Sequence, residues 1–149
     1  MRLAGLFLFL SGTMAAAQTA AEKDEGFVPL FDGKTFAGWK TNANTAKSWK
    51  IENGMMVLMG GSNSIYTEKK YDNFIVRLEW RPEKKGYNSG LFLRGNNQIN
   101  LSQKAVGQLI GNKGTKPVPD LHKEPGEWNE WEVTCIGPKV TLKVNGKEA

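Results

Sequence analysis

Alternation of apolar and polar residues is the feature of this sequence that most constrains its fold. The alternation is clearest in three segments, residues 73–81, 129–135 and 139–144. Because successive side chains of a β-strand point to opposite faces, each segment predicts a strand with one buried and one solvated face. No amphipathic helix longer than about two turns is predicted. The sequence therefore predicts an all-β protein, an antiparallel β-sandwich.

Asn-Gly pairs mark two tight turns between predicted strands. Asn53-Gly54 lies between the apolar segments 49–51 and 55–58, which predicts a two-residue hairpin. Asn145-Gly146 follows the segment 139–144 and has almost no chain after it. We therefore expect no returning strand there, so that 139–144 is left as an unpaired edge. Either the sequence is truncated and lacks C-terminal strands, or a partner covers the edge, or the chain ends naturally in a frayed tail.

The first 17 residues have the composition of a secretory signal peptide. Arg2 supplies a positive start, residues 3–14 are apolar apart from Gly, Ser and Thr, and three alanines end at Ala17. The apolar run is about 12 residues, too short to span a bilayer. We predict cleavage after Ala17 and export to the periplasm or the exterior, with no membrane span. An N-terminal core helix is the alternative. A flexible lead-in is expected at 18–26 and the β-sandwich domain at 27–149.

Charge and metal-ligating residues argue against several classes of function. The 20 Lys+Arg against 15 Asp+Glu give a net charge of +5, and no Lys/Arg run exceeds two, so nucleic-acid binding is not expected. A single cysteine, Cys135, cannot form an internal disulfide, and a single histidine, His122, cannot build a multi-histidine metal site. No cofactor is identified. A divalent cation held by carboxylate and carbonyl oxygens is compatible with such sandwiches, but the sequence does not place one.

Short motifs run in order through nearly all of the expected mature chain: GFVPLFDGKTFAGW at 26–39, WKIENG at 49–54, YDNF at 71–74, LEWR at 78–81, NSGLFLRG at 88–95, QI at 98–99, PGEWN at 125–129 and VNG at 144–146. This series resembles the 3-keto-disaccharide hydrolase domain family, long described as a domain of unknown function. The resemblance implies a concanavalin-like β-sandwich, or jelly roll, in agreement with the strand pattern. Two departures are visible. Family members continue past the Asn-Gly turn for several strands, and the segment 100–110 differs from many of them, so substrate specificity is expected to differ.

The resemblance also implies cleavage of a glycoside, such as a 3-keto-disaccharide, whose sugar carries a ketone at C3. The ketone acidifies the hydrogen on C2, so that a base can form an enolate and the group on C1 is expelled. Addition of water then gives net hydrolysis, whereas without it the reaction is an elimination. Such a site needs a base, a cation or dipole at the enolate oxygen, and an acid for the leaving group.

Glu79 is the first predicted catalytic residue. It lies on the polar face of the strand at 73–81, two residues before Arg81, with Arg77 beyond it. A row of Arg, Glu and Arg on a sheet is either a floor for a sugar or a solvated face with weak ion pairs. The family match at 78–81 favours the site.

Arg94 and His122 are the other two predicted catalytic residues. Arg94 is expected on one strand with Phe92, where its guanidinium would suit a keto or enolate oxygen; alternatively it braces a carboxylate such as Glu79. His122 is the one side chain whose ordinary pKa suits a general base near neutrality, and it lies in the Pro-bounded loop 117–125. A solvated histidine without a catalytic role is the alternative.

Five polar or aromatic residues are predicted to bind the carbohydrate substrate: Arg81, Asn88, Gln98, Asn100 and Trp128. Their alternatives are an ordinary turn at 88–90, an ordinary polar strand face at 98–100, and a core position for Trp128. A carbohydrate-binding module of similar fold would use the same residue types without cleaving its ligand. A third hypothesis is an interaction module that recruits another chain at the unpaired edge.

Overall fold

A computed structural model describes residues 18–61, 63–95, 97–111 and 115–149; the predicted signal peptide lies outside them. The helical elements are α1 (Ala20–Asp24), α2 (Thr45–Ser48) and a 3₁₀ turn (Pro119–Leu121). The strands are β1 (Trp39–Lys40), β2 (Trp49–Glu52), β3 (Met55–Leu58), β4 (Tyr66–Thr67), β5 (Phe74–Trp80), β6 (Asn88–Leu93), β7 (Asn97–Ser102), β8 (Leu109–Ile110), β9 (Asn129–Ile136), β10 (Lys139–Val144) and β11 (Lys147–Glu148).

The chain divides into two compact units, the first ending at Leu78 and the second running from Glu79 to Ala149. The first unit contains the antiparallel pairs β1–β4 and β2–β3, and the second contains the antiparallel sheet β6-β7-β8. A four-stranded sheet has the order β11-β10-β9-β5, and the unit boundary falls within β5. The fold is therefore all-β with antiparallel sheets, of the β-sandwich class, as the alternation predicts. In the described ranges no helix is long and apolar enough to cross a membrane.

The β2–β3 hairpin confirms the turn prediction at Asn53-Gly54. The strands pair in register from Trp49 with Leu58 to Glu52 with Met55, which leaves two residues in the turn. Asn53 and Gly54 both have positive φ, 51° and 77°, as a type I′ turn requires. Asn and Gly adopt this left-handed conformation at the lowest cost, so the two residues fix the register of the hairpin.

The alternation in β9 and β10 is also confirmed. Trp131, Val133 and Cys135 of β9 are 0% exposed, whereas the residues between them are exposed or half-buried. Leu142 and Val144 of β10 are buried in the same way. Burial of a large apolar side chain contributes about 1.5–3 kcal/mol, so these strands supply much of the core of the second unit.

A short strand returns after Asn145-Gly146, so the expectation of an entirely unpaired edge is wrong. β11 pairs with β10 through Lys143 with Glu148 and Val144 with Lys147. The φ values of Asn145 and Gly146, 49° and 81°, are again those of a type I′ turn, which brings the chain straight back along β10.

The segment 18–26, expected as a flexible lead-in, contains the short helix α1. Thr19 caps the helix: its Oγ1 accepts from the backbone N of Glu22, and the Glu22 carboxylate accepts from the backbone N of Thr19 at 2.8 Å. This reciprocal capping box satisfies two backbone donors, and it holds together a helix too short to persist on propensity alone. Phe27, the next apolar residue, is buried within the first unit.

Candidate functional site

One face of the sheet β6-β7-β8 carries three of the predicted sugar-binding residues. Gln98 and Asn100 lie two residues apart on β7, and their partners on β6 are Phe92 and Gly90. Asn88 of β6 pairs with Ser102 in the same alternation. Since residues paired across strands project to the same face, these side chains share one surface. We call Asn88, Gly90, Phe92, Gln98 and Asn100 the amide face. The segment 88–90, for which a plain turn was the alternative, belongs to β6.

The opposite face of this sheet is apolar and buried. Leu93 and Ile99 on that face are each 2% exposed, so packing fixes which way β6 and β7 present their side chains. A register slip of one residue would place both in solvent and is therefore strongly disfavoured. The amide face is thus held outward by the core beneath it.

Gly90 makes room for the Gln98 side chain on the amide face. An ideal Cβ at position 90 would lie 2.6 Å from Gln98 Cγ and still closer to Cδ and Nε2, so any larger residue there would require Gln98 to move. Gln98 Nε2 in turn donates to the Ser89 carbonyl at 3.4 Å, a long and weak hydrogen bond. The Gln98 amide therefore lies across β6, which the sequence did not reveal.

Register pairing places no charged side chain on this face in the described strands β6, β7 and β8. Phe92 and Ile110, which flank Gln98 on either side, are exposed apolar residues. Amide groups offer both donors and acceptors to hydroxyls, and an aromatic ring offers an apolar surface to a sugar ring. The face therefore suits an uncharged polyhydroxyl compound better than an anion.

Arg81 and Trp128, two further predicted residues, lie together in the second unit. The Arg81 guanidinium carbon is 5.0 Å from the centroid of the Trp128 ring, which is within the range of a cation–π contact. Arg81 directly follows β5 and Trp128 directly precedes β9. The stacked guanidinium covers part of one indole face, so the two side chains form a joint surface with a cationic and an aromatic part.

Glu79 is half-buried, near the end of β5. Strand alternation places it on the face opposite Trp80 and on the same face as Arg77, whereas Arg81 lies just beyond the end of β5. Arg77 makes both of its described contacts within the first unit. It forms an ion pair with Glu25 at 2.8 Å, and its guanidinium carbon lies 4.1 Å from the centroid of the Phe27 ring. Arg77 therefore forms an ion pair of the kind that the solvated-face alternative predicts.

Both ring nitrogens of His122 are hydrogen-bonded within the protein. Nδ1 lies 2.8 Å from the Val118 carbonyl, which can only accept, and Nε2 lies 2.8 Å from Trp131 Nε1–H, which can only donate. The imidazole is therefore neutral, with its proton on Nδ1 and its lone pair directed at Trp131. A general base needs that lone pair for the substrate, and this geometry leaves none available.

Aromatic rings surround His122. Trp80 and Trp131 have ring centroids 5.7 and 5.8 Å from the imidazole, and Tyr87 lies 5.7 Å from Trp80. Burial lowers the pKa of His122 below its ordinary value of 6.5 and outweighs the opposite effect of the Val118 carbonyl. Trp80 Nε1 is buried and has no hydrogen-bond partner in the part of the chain that the structure describes.

Arg94 lies in the turn after β6, so the expectation that it shares a strand with Phe92 is wrong. Its φ of +49° and the glycine that follows end the strand at Leu93. The guanidinium donates to the carbonyl of Gly137, just beyond β9. Trp131, the partner of His122, lies six residues before Gly137, or about 20 Å along the strand. The structure thus does not bring Arg94 and His122 together.

No group of three or more His, Cys, Asp or Glu residues suited to a metal ion occurs in the described ranges. A shallow depression of about 180 Å³ is lined by Glu130, Glu132, Lys143 and Gly146. Its Lys143–Glu132 ion pair, at 3.0 Å, is exposed and is a typical surface contact between facing strands.

The sequence between residues 26 and 149 matches a family model described as the 3-keto-alpha-glucoside-1,2-lyase-like domain. The chain belongs to this family. A 3-keto-disaccharide hydrolase of Bacteroides thetaiotaomicron is 34% identical over 80 residues, covering 46% of this chain and 27% of that protein. The match thus spans about a quarter of the curated relative.

Two solved structures from Parabacteroides distasonis ATCC 8503, each named a "putative glycosyl hydrolase", are similar to the chain. One is 27% identical with a TM-score of 0.68, and the matched region covers 89% of this chain and 74% of the chain in that structure. The other is 21% identical with a TM-score of 0.67, covers 78% and 66% respectively, and shows likeness of fold alone. The family predicted from the motifs is therefore confirmed, and the matched 3-keto-alpha-glucoside-1,2-lyase-like domain includes both the amide face and the Arg81–Trp128 pair.

Proposed function

We propose that this protein cleaves the glycosidic bond of glycosides whose sugar carries a ketone at C3. The observation that carries the proposal is the family match over residues 26–149, which contains all eleven described strands. The curated relative is named for the hydrolysis of 3-keto-disaccharides, and the family description names a lyase of 3-keto-α-glucosides. An uncharged, amide-rich face is the kind of surface that such a sugar would require.

The reaction that we propose begins at C2. A base removes the C2 hydrogen as a proton, and the 3-ketone oxygen takes up the electron pair as an enolate. When the ketone re-forms, the pair moves to make a C1–C2 double bond, the bond from C1 to the glycosidic oxygen breaks, and the departing oxygen gains a proton. Addition of water across the double bond yields the free 3-keto sugar, so the sum is hydrolysis without any oxidant.

Glu79 is the base in this proposal, and Arg81 is the cation that stabilises the enolate oxygen. The two residues are two positions apart at the end of β5, which keeps their Cα atoms within about 7 Å of each other. His122 is not assigned as the base because its lone pair is bound to Trp131. Arg94 is not assigned because its guanidinium is bound at Gly137.

Separate sugar-binding roles are proposed for the amide face and for Trp128. Asn88, Gln98 and Asn100 would hydrogen-bond hydroxyl groups, and the uncovered part of the Trp128 ring would pack on the sugar. The lack of charge on the described amide face supports a neutral carbohydrate over a sugar phosphate.

The test uses the full chain with a 3-keto-α-disaccharide and, in parallel, the unoxidised parent sugar, with products followed by mass spectrometry. We expect cleavage of the keto sugar alone, and slower turnover when C2 carries deuterium, because the C2–H bond breaks in the first step. Glu79→Gln should lower kcat about 10²–10⁴-fold. Glu52→Gln, the same change at an exposed carboxylate in the first unit, is the matched control.

Two results would overturn parts of this assignment. Normal turnover by Glu79→Gln would show that another group is the base. If the folded protein cleaves neither sugar yet binds the parent sugar, the amide face belongs to a carbohydrate-binding module, the second candidate function. That candidate is favoured by the exposed apolar side chains of Phe92 and Ile110 on the amide face, which binding alone would explain.

A further inference from the structure

Hydrogen bonds from four neighbouring segments hold the loop of residues 118–126, which we call the 118–126 loop. Val118 N donates to Val106 O at 2.9 Å, Lys123 N to Asn129 Oδ1 at 2.8 Å, Gly126 N to Pro82 O at 2.7 Å, and Asn145 Nδ2 to Leu121 O at 2.8 Å. These links use backbone groups and neutral amides, which do not titrate. The loop is thus tied at both ends and in the middle by groups that pH does not alter.

His122 provides the link that does titrate. Its ring joins the Val118 carbonyl, in the same loop, to the indole N–H of Trp131 in β9. Trp131 is 0% exposed, so no solvent water can accept a hydrogen bond from its N–H if His122 moves away. This hydrogen bond therefore satisfies a buried donor and also attaches the centre of the loop to β9.

We propose that His122 is a positioning residue, whose neutral imidazole adds the one pH-sensitive attachment of the 118–126 loop, and of Trp128 just beyond it, to β9. The first part concerns the loop and stands without any substrate. The second part, the placement of Trp128 for a sugar, rests on the proposed function.

Protonation would turn the bond between His122 and Trp131 into a clash of donors. With a proton on Nε2, two N–H groups would face each other at the present 2.8 Å, and one of them must move. Cation–π attraction to Trp80 and Trp131 would offset part of this cost. This attraction cannot supply the missing acceptor. The 118–126 loop should therefore move away from Trp131, while the buried indole stays in place.

Few charged groups face the imidazole from the elements packed against it. Tyr87, beyond Trp80, is neutral under acidic conditions, since burial and the charge of Glu124 raise its pKa. Gly107, whose backbone lies beside the ring, has no side chain to titrate. Asp120, Lys123 and Glu124 are the charged neighbours along the loop, and all three are exposed to solvent.

The pH dependence has a definite sign. An unfolded or detached His122 takes up its proton near pH 6.5, whereas the attached ring, whose pKa is lowered by burial, resists protonation. The attachment is thus fully effective above about pH 6.5 and weakens as pH falls toward the lowered pKa. Within that window the ratio of attached to detached loop should fall up to about tenfold per pH unit.

Hydrogen exchange of the full chain between about pH 5 and 7.5 tests the loop. We expect protection factors of the Leu121, His122 and Lys123 amides to fall with pH below 6.5, while Val57, in a hydrogen-bonded pair of the β2–β3 hairpin, keeps its protection. His122→Gln, whose amide can donate to Val118 and accept from Trp131 without titrating, should show no such fall. His122→Ala should lower the protection factors of the loop amides about five- to tenfold at every pH.

A pH-independent protection of the wild-type loop would overturn the proposal, as would an unchanged pH response in His122→Gln. If either variant fails to fold, the ¹⁵N signals of the His122 ring in the wild-type protein decide the point. They should show Nδ1–H and a bare Nε2 at neutral pH and a pKa below 6.5; the opposite tautomer or a normal pKa would refute the proposal.

Affinity for the parent sugar tests the Trp128 part. Wild-type affinity should weaken below pH 6.5 together with loop protection, and that of His122→Gln should not. Sugar affinity that stays constant while the loop opens would refute the link to Trp128. If the parent sugar binds at no pH, the Trp128 part is refuted; the cleavage assay with the keto sugar then decides the proposed function, and the exchange result decides the role of His122.

Discussion

Replacing Gly90 by alanine tests whether the amide face is built on the packing of Gln98 over a glycine. The new Cβ would lie 2.6 Å from Gln98 Cγ and nearer still to the side-chain amide, so the glutamine must turn away. The backbone of Gly90 does not have positive φ, and alanine can adopt it without strain. The expected effect is therefore confined to the Gln98 side chain.

Two terms of similar size oppose each other in this variant. Alanine in a strand gains about 0.5–1 kcal/mol over glycine because the unfolded chain loses freedom. Displacing Gln98 costs about 0.5–1.5 kcal/mol for its rotamer, plus about 0.5 kcal/mol for the weak bond to Ser89. Gly90→Ala alone should thus range from neutral to about 1.5 kcal/mol destabilising, and in a Gln98→Ala background the same change should stabilise by about 0.5–1 kcal/mol.

Denaturant unfolding of the wild type, the two single variants and the double variant measures this difference as a coupling energy. We expect a coupling of about 1–2 kcal/mol between positions 90 and 98. Additive effects of the two changes would refute the reasoning, since they would mean that Gln98 does not occupy the space above Gly90. If the amide face also binds sugar, Gly90→Ala and Gln98→Ala should weaken affinity to a similar extent.

Two further predictions concern the second unit. Asn145→Ala should destabilise the protein by about 2–4 kcal/mol, because alanine is strained at φ 49° and three side-chain hydrogen bonds are lost. Asn145→Gly loses the same hydrogen bonds but adopts the turn without strain. Thermal unfolding of both variants therefore separates the two effects. Cys135 should react with a thiol reagent only at the rate of unfolding, because it is 0% exposed and burial raises the pKa of its thiol. Labelling faster than unfolding, followed by absorbance, would contradict the buried position of Cys135.

Local signals were sufficient for much of the fold. The two-residue turn at Asn53-Gly54 and the alternation of β9 each depend on a few neighbouring residues, and both appear in the structure as predicted. α1 also has a local signal, the capping box of Thr19 and Glu22, but polar composition concealed it. β11 is only two residues long and too short to show a period, so only the backbone of the Asn145 turn reveals it.

The candidate site depends on contacts that alternation cannot supply. The space that the Gln98 side chain takes up over Gly90 follows from the pairing of β6 with β7, and no pattern within β6 predicts that register. Arg94 was misplaced because alternation was extended one residue past Leu93, into a left-handed turn. In each case the deciding neighbour is distant in sequence or a single backbone angle departs from the regular strand.

His122 shows most clearly why residue type does not determine function. As a sequence feature it was the natural general base, because its ordinary pKa lies near neutrality. Activity would fall on acidification whether His122 is a base or a neutral positioning residue. A pH–activity profile of the wild-type protein therefore cannot distinguish the two roles. Their response to His122→Gln is opposite: glutamine cannot accept and release a proton, but it can reproduce both hydrogen bonds.

The same variant therefore separates proton transfer from positioning. If His122 were the base, His122→Gln would lose most turnover at every pH. If its lone pair serves Trp131, as the 2.8 Å contact indicates, the variant should keep near-normal turnover at neutral pH and lose part of the acid sensitivity. Proton abstraction must then come from another side chain, and the proposed base is Glu79, two residues before Arg81. Activity in His122→Gln combined with its loss in Glu79→Gln would join these two arguments, and the reverse pattern would refute both.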